Sequence, residues 1–289
     1  MRRVWMCGGM LLLVGAVCGS AARAQMIHAD GPSLSFEVAT IKPSDGSRFM
    51  IQAPGKGTLQ HVAGTARGLV AQAYMLPPNI KLVFGGPEWV DKQIYRVEGK
   101  IPDDLFVEMQ KMTTDEKQAK VNQMLRSLLA DRFKLKTHLE TREMPVYELV
   151  AKGKELTAQG DVKLTRSAED DPAPHMVGMR GIDALSMLFI AANVSMEEFA
   201  HQLLGGMVDR PVVDKTGIAG RYSFRFPVAV AGTPLESSYP KQSPAFPEQA
   251  NENTPNFFTA IQDLGLKLVP AKDQVEVLVI DHIELPTEN

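Results

Sequence analysis

Apolar and polar positions along the 289 residues form mostly short alternating runs, interrupted by a few stretches of helical spacing. Alternation puts every second side chain on one face of a strand, while a period near 3.6 marks a helix. Residues 36–41 alternate and are closed by Pro43, which predicts a first strand; residues 58–62 predict a short second one. A helix over 65–74 is stopped by Pro77-Pro78. Strands over 80–84 and 93–100 flank the turn Gly85-Gly86-Pro87. Thr113-Thr114-Asp115-Glu116 is a capping-box pattern, because a Glu three residues after a Thr reaches back to its backbone N–H. The helix it opens runs to Arg132, with Val121, Met124, Leu125, Leu128 and Leu129 on one face.

Residues 133–140 and 146–151 read as a hairpin around 141–145. The polar stretch 165–180 reads as a loop. The apolar run 184–194 is a buried strand or a helix; periodicity leaves both open. Ser195-Met-Glu-Glu198 is a second capping box, and its helix is ended by Gly205-Gly206. Strands over 211–213 and 221–228 are joined by Asp214-Lys-Thr-Gly-Ile-Ala-Gly220. Residues 228–254 carry Pro234, Pro240, Pro244 and Pro247 among polar neighbours and predict a flexible excursion. Thr254-Pro255 opens a last helix, Gly265 ends it, and 266–269 with 275–280 predict a final hairpin.

Two of these units resemble each other. Leu125-Arg-Ser-Leu-Leu-Ala-Asp-Arg-Phe-Lys-Leu135 followed by Pro145-Val-Tyr-Glu-Leu-Val150 parallels Ala260-Ile-Gln-Asp-Leu-Gly-Leu-Lys-Leu268 followed by Gln274-Val-Glu-Val-Leu-Val279. Residues 86–97 parallel 213–224 more loosely, through a strand of Tyr and Val or Phe after an Asp-Lys turn. The two types alternate, so a duplication is the economical reading. It predicts an α+β fold of repeated helix–β-hairpin units, forming two pseudo-equivalent halves with helices packed on antiparallel sheets. The first half spans 25–160 and the second 161–289. Burial is predicted for Leu125, Leu128 and Leu135 together with Phe258, Ile261 and Leu268.

The start of the chain has the form of a secretory signal peptide over 1–24. Arg2 and Arg3 precede an apolar run over 4–17, and Ala22-Arg23-Ala24 is a small-x-small cleavage site. The run is shorter than the roughly 20 residues that cross a bilayer, and no later segment is long and apolar enough to span one. An exported protein, periplasmic or secreted, is therefore expected. Both cysteines, Cys7 and Cys18, lie in the leader, so the mature chain has no disulfide and no thiolate chemistry. The leader's three arginines take the 31 basic residues to 28 against 34 acidic, a net −6 in place of −3. An acidic chain is a poor partner for nucleic acid.

The phrases Phe36-Glu-Val-Ala-Thr-Ile-Lys-Pro43, Gly86-Pro-Glu-Trp89, Met124-Leu-Arg-Ser-Leu-Leu-Ala-Asp-Arg-Phe-Lys-Leu135, Arg142-Glu-Met-Pro-Val-Tyr147, Arg210-Pro-Val-Val-Asp-Lys-Thr-Gly217 and Val275-Glu-Val-Leu-Val-Ile-Asp-His282 resemble a soil-associated, mainly acidobacterial family of exported proteins of unknown function. The resemblance runs from Phe36 to the C-terminus and implies export without an assigned activity. Related domains appended to antirepressor-type membrane metallopeptidases imply a link to envelope sensing. The single units also resemble the short N-terminal domains of secretins and TonB-dependent receptors, which bind partners.

Candidate chemistry is sparse. Asp214-Lys-Thr-Gly217 opens like the phosphorylation motif of P-type pumps, but Ile218 replaces the required Thr. A turn built by Asp214, Gly217 and Gly220 fits better. Lys215-Thr-Gly217 and Ser238-Tyr-Pro-Lys241 echo two β-lactamase elements in the wrong order, with Ser-Asp-Asn absent. His138-Leu-Glu140 and His282-Ile-Glu284 each put a His and a Glu on one face of an extended segment, as surface pairs rather than a metal site. Asp131-Arg132 and Arg142-Glu143 are expected to pair across the second hairpin. Trp89 is either a buried anchor or an exposed contact, and Trp89 and Arg210 are the candidate partner contacts. No catalytic, metal or cofactor-binding residue stands out, and no cofactor is expected. The reading is a binding or protein-interaction module of the cell envelope, whose partner is an envelope protein or polymer. The alternatives are a hydrolase of envelope or extracellular polymer and a sensor or inhibitor module linked to cell-wall stress.

Overall fold

The computed structural model describes residues 34–44, 59–77, 80–168, 176–181, 186–229 and 254–286. The leader with its cleavage site, residues 45–58, Ser238 with Lys241, and nearly all of the Pro-rich excursion lie outside those residues.

Among the described residues the fold is mixed α+β with three sheets. Strands β1 (Val38–Ser44), β2 (Leu59–Thr65) and β4 (Ile94–Lys100) form an antiparallel sheet in the order β1-β4-β2. Between β2 and β4 run helix α1 (Ala66–Ala73) and the short strand β3 (Val83–Gly85). Helices α2 (Asp103–Met109) and α3 (Thr114–Arg132) follow, and then strand β5 (Lys136–Ala151). A second antiparallel sheet orders β6 (Lys163–Arg166), β10 (Tyr222–Ala229), β8 (Ser186–Val194) and β7 (Met176–Gly181) as β6-β10-β8-β7. Helix α4 (Met196–Met207) and strand β9 (Val212–Asp214) lie between β8 and β10. The chain closes with helix α5 (Phe257–Ala260) and strand β11 (Leu266–His282).

The third sheet, ordered β3-β11-β5-β9, corrects both predicted hairpins. Residues 141–145 and 270–274 do not turn. Each hairpin is one long strand, and the two strands pair with each other, Lys136 with His282 through to Ala151 with Leu266. Pro145 falls in the predicted 141–145 turn and Pro270 between the predicted strands over 266–269 and 275–280. Tyr147 N–H bonds to Pro211 O, away from β11, and Pro145 two residues earlier points its nitrogen the same way. Leu278 N–H bonds to Leu82 O, so Pro270, of the same parity, points its nitrogen away from β5. Neither proline removes a β5–β11 hydrogen bond.

The caps explain most helix starts. Thr65 Oγ1 accepts Gly68 N–H at 3.1 Å at α1. At α3, Thr113 and Glu116 bond reciprocally, with Thr113 N–H to Glu116 Oε2 at 2.7 Å. At α4, Ser195 and Glu198 do the same at 2.8 and 3.1 Å. That helix runs through Gly205 and Gly206 to Met207 rather than ending at the glycines. Asn256, not Thr254-Pro255, caps α5, accepting Thr259 N–H at 3.0 Å. This cap puts Phe257, Ala260, Ile261 and Leu264 on the buried face at helical spacing, and leaves Phe258 40% exposed against expectation. The other five residues expected with it are buried. The apolar run 186–194 is a strand, and the 165–180 stretch contains β7 and the end of β6.

Two cores result. One packs α1 and α3 on the β1-β4-β2 sheet, with Leu69, Val97, Leu125, Leu129 and Phe133 buried beside Leu278 and Ile280 of β11. The other packs α4 and α5 on the β6-β10-β8-β7 sheet, with Phe189, Phe199, Phe224, Phe226 and Phe257 buried beside Leu149 of β5. One face of the β5–β11 ladder enters both. Thr137 and Ile280 are buried at one end, Leu149 and Leu268 at the other. Between them Thr141 with Glu276, Glu143 with Gln274, and Pro145 with Lys272 are exposed.

Candidate functional site

The parallel pairing of β5 with β9 brings the chain before β9 beside Tyr147. Tyr147 N–H bonds to Pro211 O at 2.8 Å, so Arg210, one residue earlier, reaches the ring. Its guanidinium carbon lies 4.6 Å from the Tyr147 ring centroid. Asp209 fixes the guanidinium in a fork, accepting Nε at 3.1 Å and Nη2 at 3.0 Å. Phe258 meets the edge of the same ring, with centroids 5.5 Å apart and planes at 75°. The result is an Arg–Tyr–Phe patch at the rim of the phenylalanine core, beside the exposed middle of the ladder.

The patch's charges are fixed by these neighbours. Hydrogen bonding from Arg210 holds the Asp209 carboxyl below the ordinary carboxylate range, against partial burial. Burial, and then the charge of Asp209, raise the Tyr147 phenol, so it stays a neutral O–H. Across the described residues every carboxylate with a resolved shift moves down. Asp91 is lowered by Arg67, Glu116 by the Thr113 backbone, Glu140 by Arg142 and Asp273 by Lys215. Such groups are permanent anions and do not supply protons near neutrality.

The sequence candidates divide. Arg210 lies in the patch. Trp89 does not: it is partly buried at the edge of the first core, stacked on Phe133 with centroids 6.4 Å apart. Asp214 ends β9, and its Oδ1 accepts Thr216 N–H at 2.8 Å. Thr216 Oγ1 then accepts Ile218 N–H at 3.1 Å, and Gly217 and Gly220 have φ of 64° and 95°. A side chain at Gly220 would sit 3.4 Å from Arg166. His138 Nδ1 faces Asp281 at 2.8 Å, its Nε2 is 3.9 Å from Glu140, and His282 meets Glu284 at 2.8 Å. Among the described residues no group of three or more His, Cys, Asp or Glu is placed to hold a metal. Arg132 bonds its neighbour Asp131, and Arg142 forks onto Glu140 two residues away, because both lie on one strand face.

Two arginine clamps were not read from the sequence. Arg67 bonds both Asp91 oxygens and the carbonyls of Val83 and Gly85. Arg221 bonds Asn193 O and Oδ1 and Glu198 Oε2, the last at 2.6 Å. Each joins segments far apart in sequence, and nothing local marks it. Tyr147 and Phe258 were missed because a surface role depends on the β5–β9 pairing and on the Asn256 cap.

Among the described residues no helix is long and apolar enough to cross a membrane. No curated protein and no solved structure matches the chain. The model of the family described as protein of unknown function, DUF3738, matches residues 67–283, and the chain belongs to that family.

Proposed function

We propose that the chain is an exported, cofactor-free binding module of the cell envelope, and that the Arg210–Tyr147–Phe258 patch is where its partner, an envelope protein or polymer, docks. The observation that carries this reading is the composition of the patch. Arg and Tyr, here an Arg held in a fork over a Tyr, are enriched among the residues that carry most binding energy at protein interfaces, and the adjoining 40%-exposed Phe is of a type enriched at interfaces. The basic start, apolar run and small-x-small site over 1–24 support export. The soil-associated, mainly acidobacterial setting belongs to the same proposal.

The two-half architecture is part of this reading. Both outer sheets carry an inner strand, β4 or β10, flanked by strands on each side. Tyr147, Glu148 and Leu149 pair in parallel with 212–214, as Leu278, Val279 and Ile280 pair with 83–85. Tyr147 N–H reaches Pro211 O as Leu278 N–H reaches Leu82 O. Lys134 before β5 and Gly265 before β11 both have positive φ, 51° and 76°. These correspondences support a duplication whose copies share a sheet through their last strands.

The test places a photoreactive benzoylphenylalanine at position 258 of the exported protein, with a control at Val107, which is 63% exposed and outside the patch. A discrete crosslinked species from 258, lost with Arg210→Ala and absent from 107, is the expected result. No species from 258, or the same species from 107, refutes the reading.

A further inference from the structure

We propose that two copies of this chain pair through the outer edge of β5, in an antiparallel two-fold join centred on Thr141. Tyr147 N–H points away from β11 to Pro211 O, so the odd-numbered residues over 137–145 turn their backbone groups to the same outer side. β9 takes that edge only from Tyr147 to Leu149. Among the described residues nothing pairs on that side with the backbone of Thr137, Leu139, Thr141 or Glu143. A strand edge left open in this way accepts another strand. The opposite edge of the same ladder is obstructed. Pro270 offers no N–H there, Gln274 N–H is taken by Asp273 Oδ1 at 2.8 Å, and Ile80 and Leu82 form one cluster with Val277.

Charge identifies the occupant as a second copy. Glu140, Arg142 and Glu143 line the open stretch, and charges on an edge discourage unmatched strands. With Thr141 opposite Thr141 the same residues match: Arg142 of each copy faces Glu140 of the other, and Glu143 faces Leu139. Inside each chain Arg142 already forks onto Glu140 at 3.0 and 2.9 Å, so the join sets two such pairs side by side with alternating signs. Moving the centre by one or two residues opposes Glu140 to Glu140, Arg142 to Arg142, Glu143 to Glu143 or Arg142 to Lys136. Like charges directly opposite one another destabilise a strand pair, so one register survives. Thr141 and Glu143 are exposed, and Pro145 falls opposite Thr137 at the end of the join, where its missing N–H matters least. The contact uses the same surface on both copies and closes on itself.

The test measures the mass of the exported protein by light scattering across concentration, where a monomer–dimer equilibrium is expected. Arg142→Glu and Glu140→Arg each weaken the dimer about tenfold, because each turns the facing pairs into like charges. Mixed together, the two variants form a heterodimer, since each then faces its opposite sign. Mixing cannot restore the fork inside either chain, so this rescue reads the contact between copies alone. Cysteine trapping reads the register. Directly opposed residues that exchange hydrogen bonds have Cα atoms about 5.5 Å apart, within disulfide reach, so Thr141→Cys oxidises to a linked dimer. Glu143→Cys, equally exposed but about 14 Å from its own copy along the strands, does not. Phe258→Ala leaves the dimer intact, which separates this contact from the patch. A chain that stays monomeric at its highest soluble concentration overturns the proposal. So does a dimer that both charge reversals leave unchanged, a mixture that associates no better than its components, or equal linking through positions 141 and 143.

Discussion

The two outer sheets, one of three strands and one of four, are filled differently. The first is covered by α3, a 19-residue helix whose Leu125, Leu128 and Leu129 lie over the strands. In the second, the helix before the long strand is four residues followed by the 3-10 turn Ile261–Leu264. Phenylalanines supply the missing volume. Phe189 stacks on Phe226 with centroids 4.8 Å apart and meets Phe199 edge-on at 6.0 Å. A short helix leaves little side-chain surface to bury, so each core residue has to bury more area. The longer helix has the opposite consequence: a cavity of about 680 Å³ lies between its last turn and residues 35–39.

The largest break in this comparison is Phe189→Ala. A fully buried ring at the centre of four others leaves a cavity costing about 3–5 kcal/mol, a fall of about 8–15 °C in Tm by circular dichroism. Leu125→Ala in the first core is expected at the low end of about 2–5 kcal/mol, since α3 can settle onto the sheet. Equal losses would mean that the two cores are filled alike.

The helix ends sharpen the contrast at a smaller scale. Gly265→Ala forces a side chain into positive φ with its Cβ 3.0 Å from Thr157 Oγ1, and is expected to cost about 1–2 kcal/mol in urea unfolding. Lys134 already carries a side chain at φ 51°, so Lys134→Gly is expected to stabilise by about 0.5–1 kcal/mol. A loss at Lys134 would show that its side chain is held by contacts the ladder geometry does not provide.

The smallest effect is electrostatic. The Arg67 hydrogen bond keeps the Asp91 carboxyl below its ordinary value in the folded state. Its contribution is therefore present above the unfolded value and fades as pH falls through the folded one. Asp91→Asn should be less stable than the parent at neutral pH and converge with it in acid. A gap that persists in acid would point to shape rather than charge at this clamp.

Local signals in the sequence carried the caps. Thr65, Thr113 with Glu116, and Ser195 with Glu198 are each settled within a few residues, so the helices they open were legible. The long strands were not. Pro145, Pro270 and Asp273 read as turn formers, and only pairing between residues more than a hundred positions apart shows that the prolines cost no ladder bond. Of the candidate patch, Arg210 was legible as a polar residue ahead of a strand. Its platform, Tyr147, was not, because β5 and β9 meet only through tertiary pairing.

The pairing of the two long strands also dictates when the molecule can become whole. β5 meets β11 only when residues 266–282 are made, so until then a growing chain carries a 16-residue strand matched at most over Tyr147–Leu149, by β9. Assembly of that ladder waits for almost the entire polypeptide, and pairing at such separation is slow. Until then β5 is open to capture by other chains, which favours a holding partner during synthesis and makes C-terminally shortened products targets for proteases.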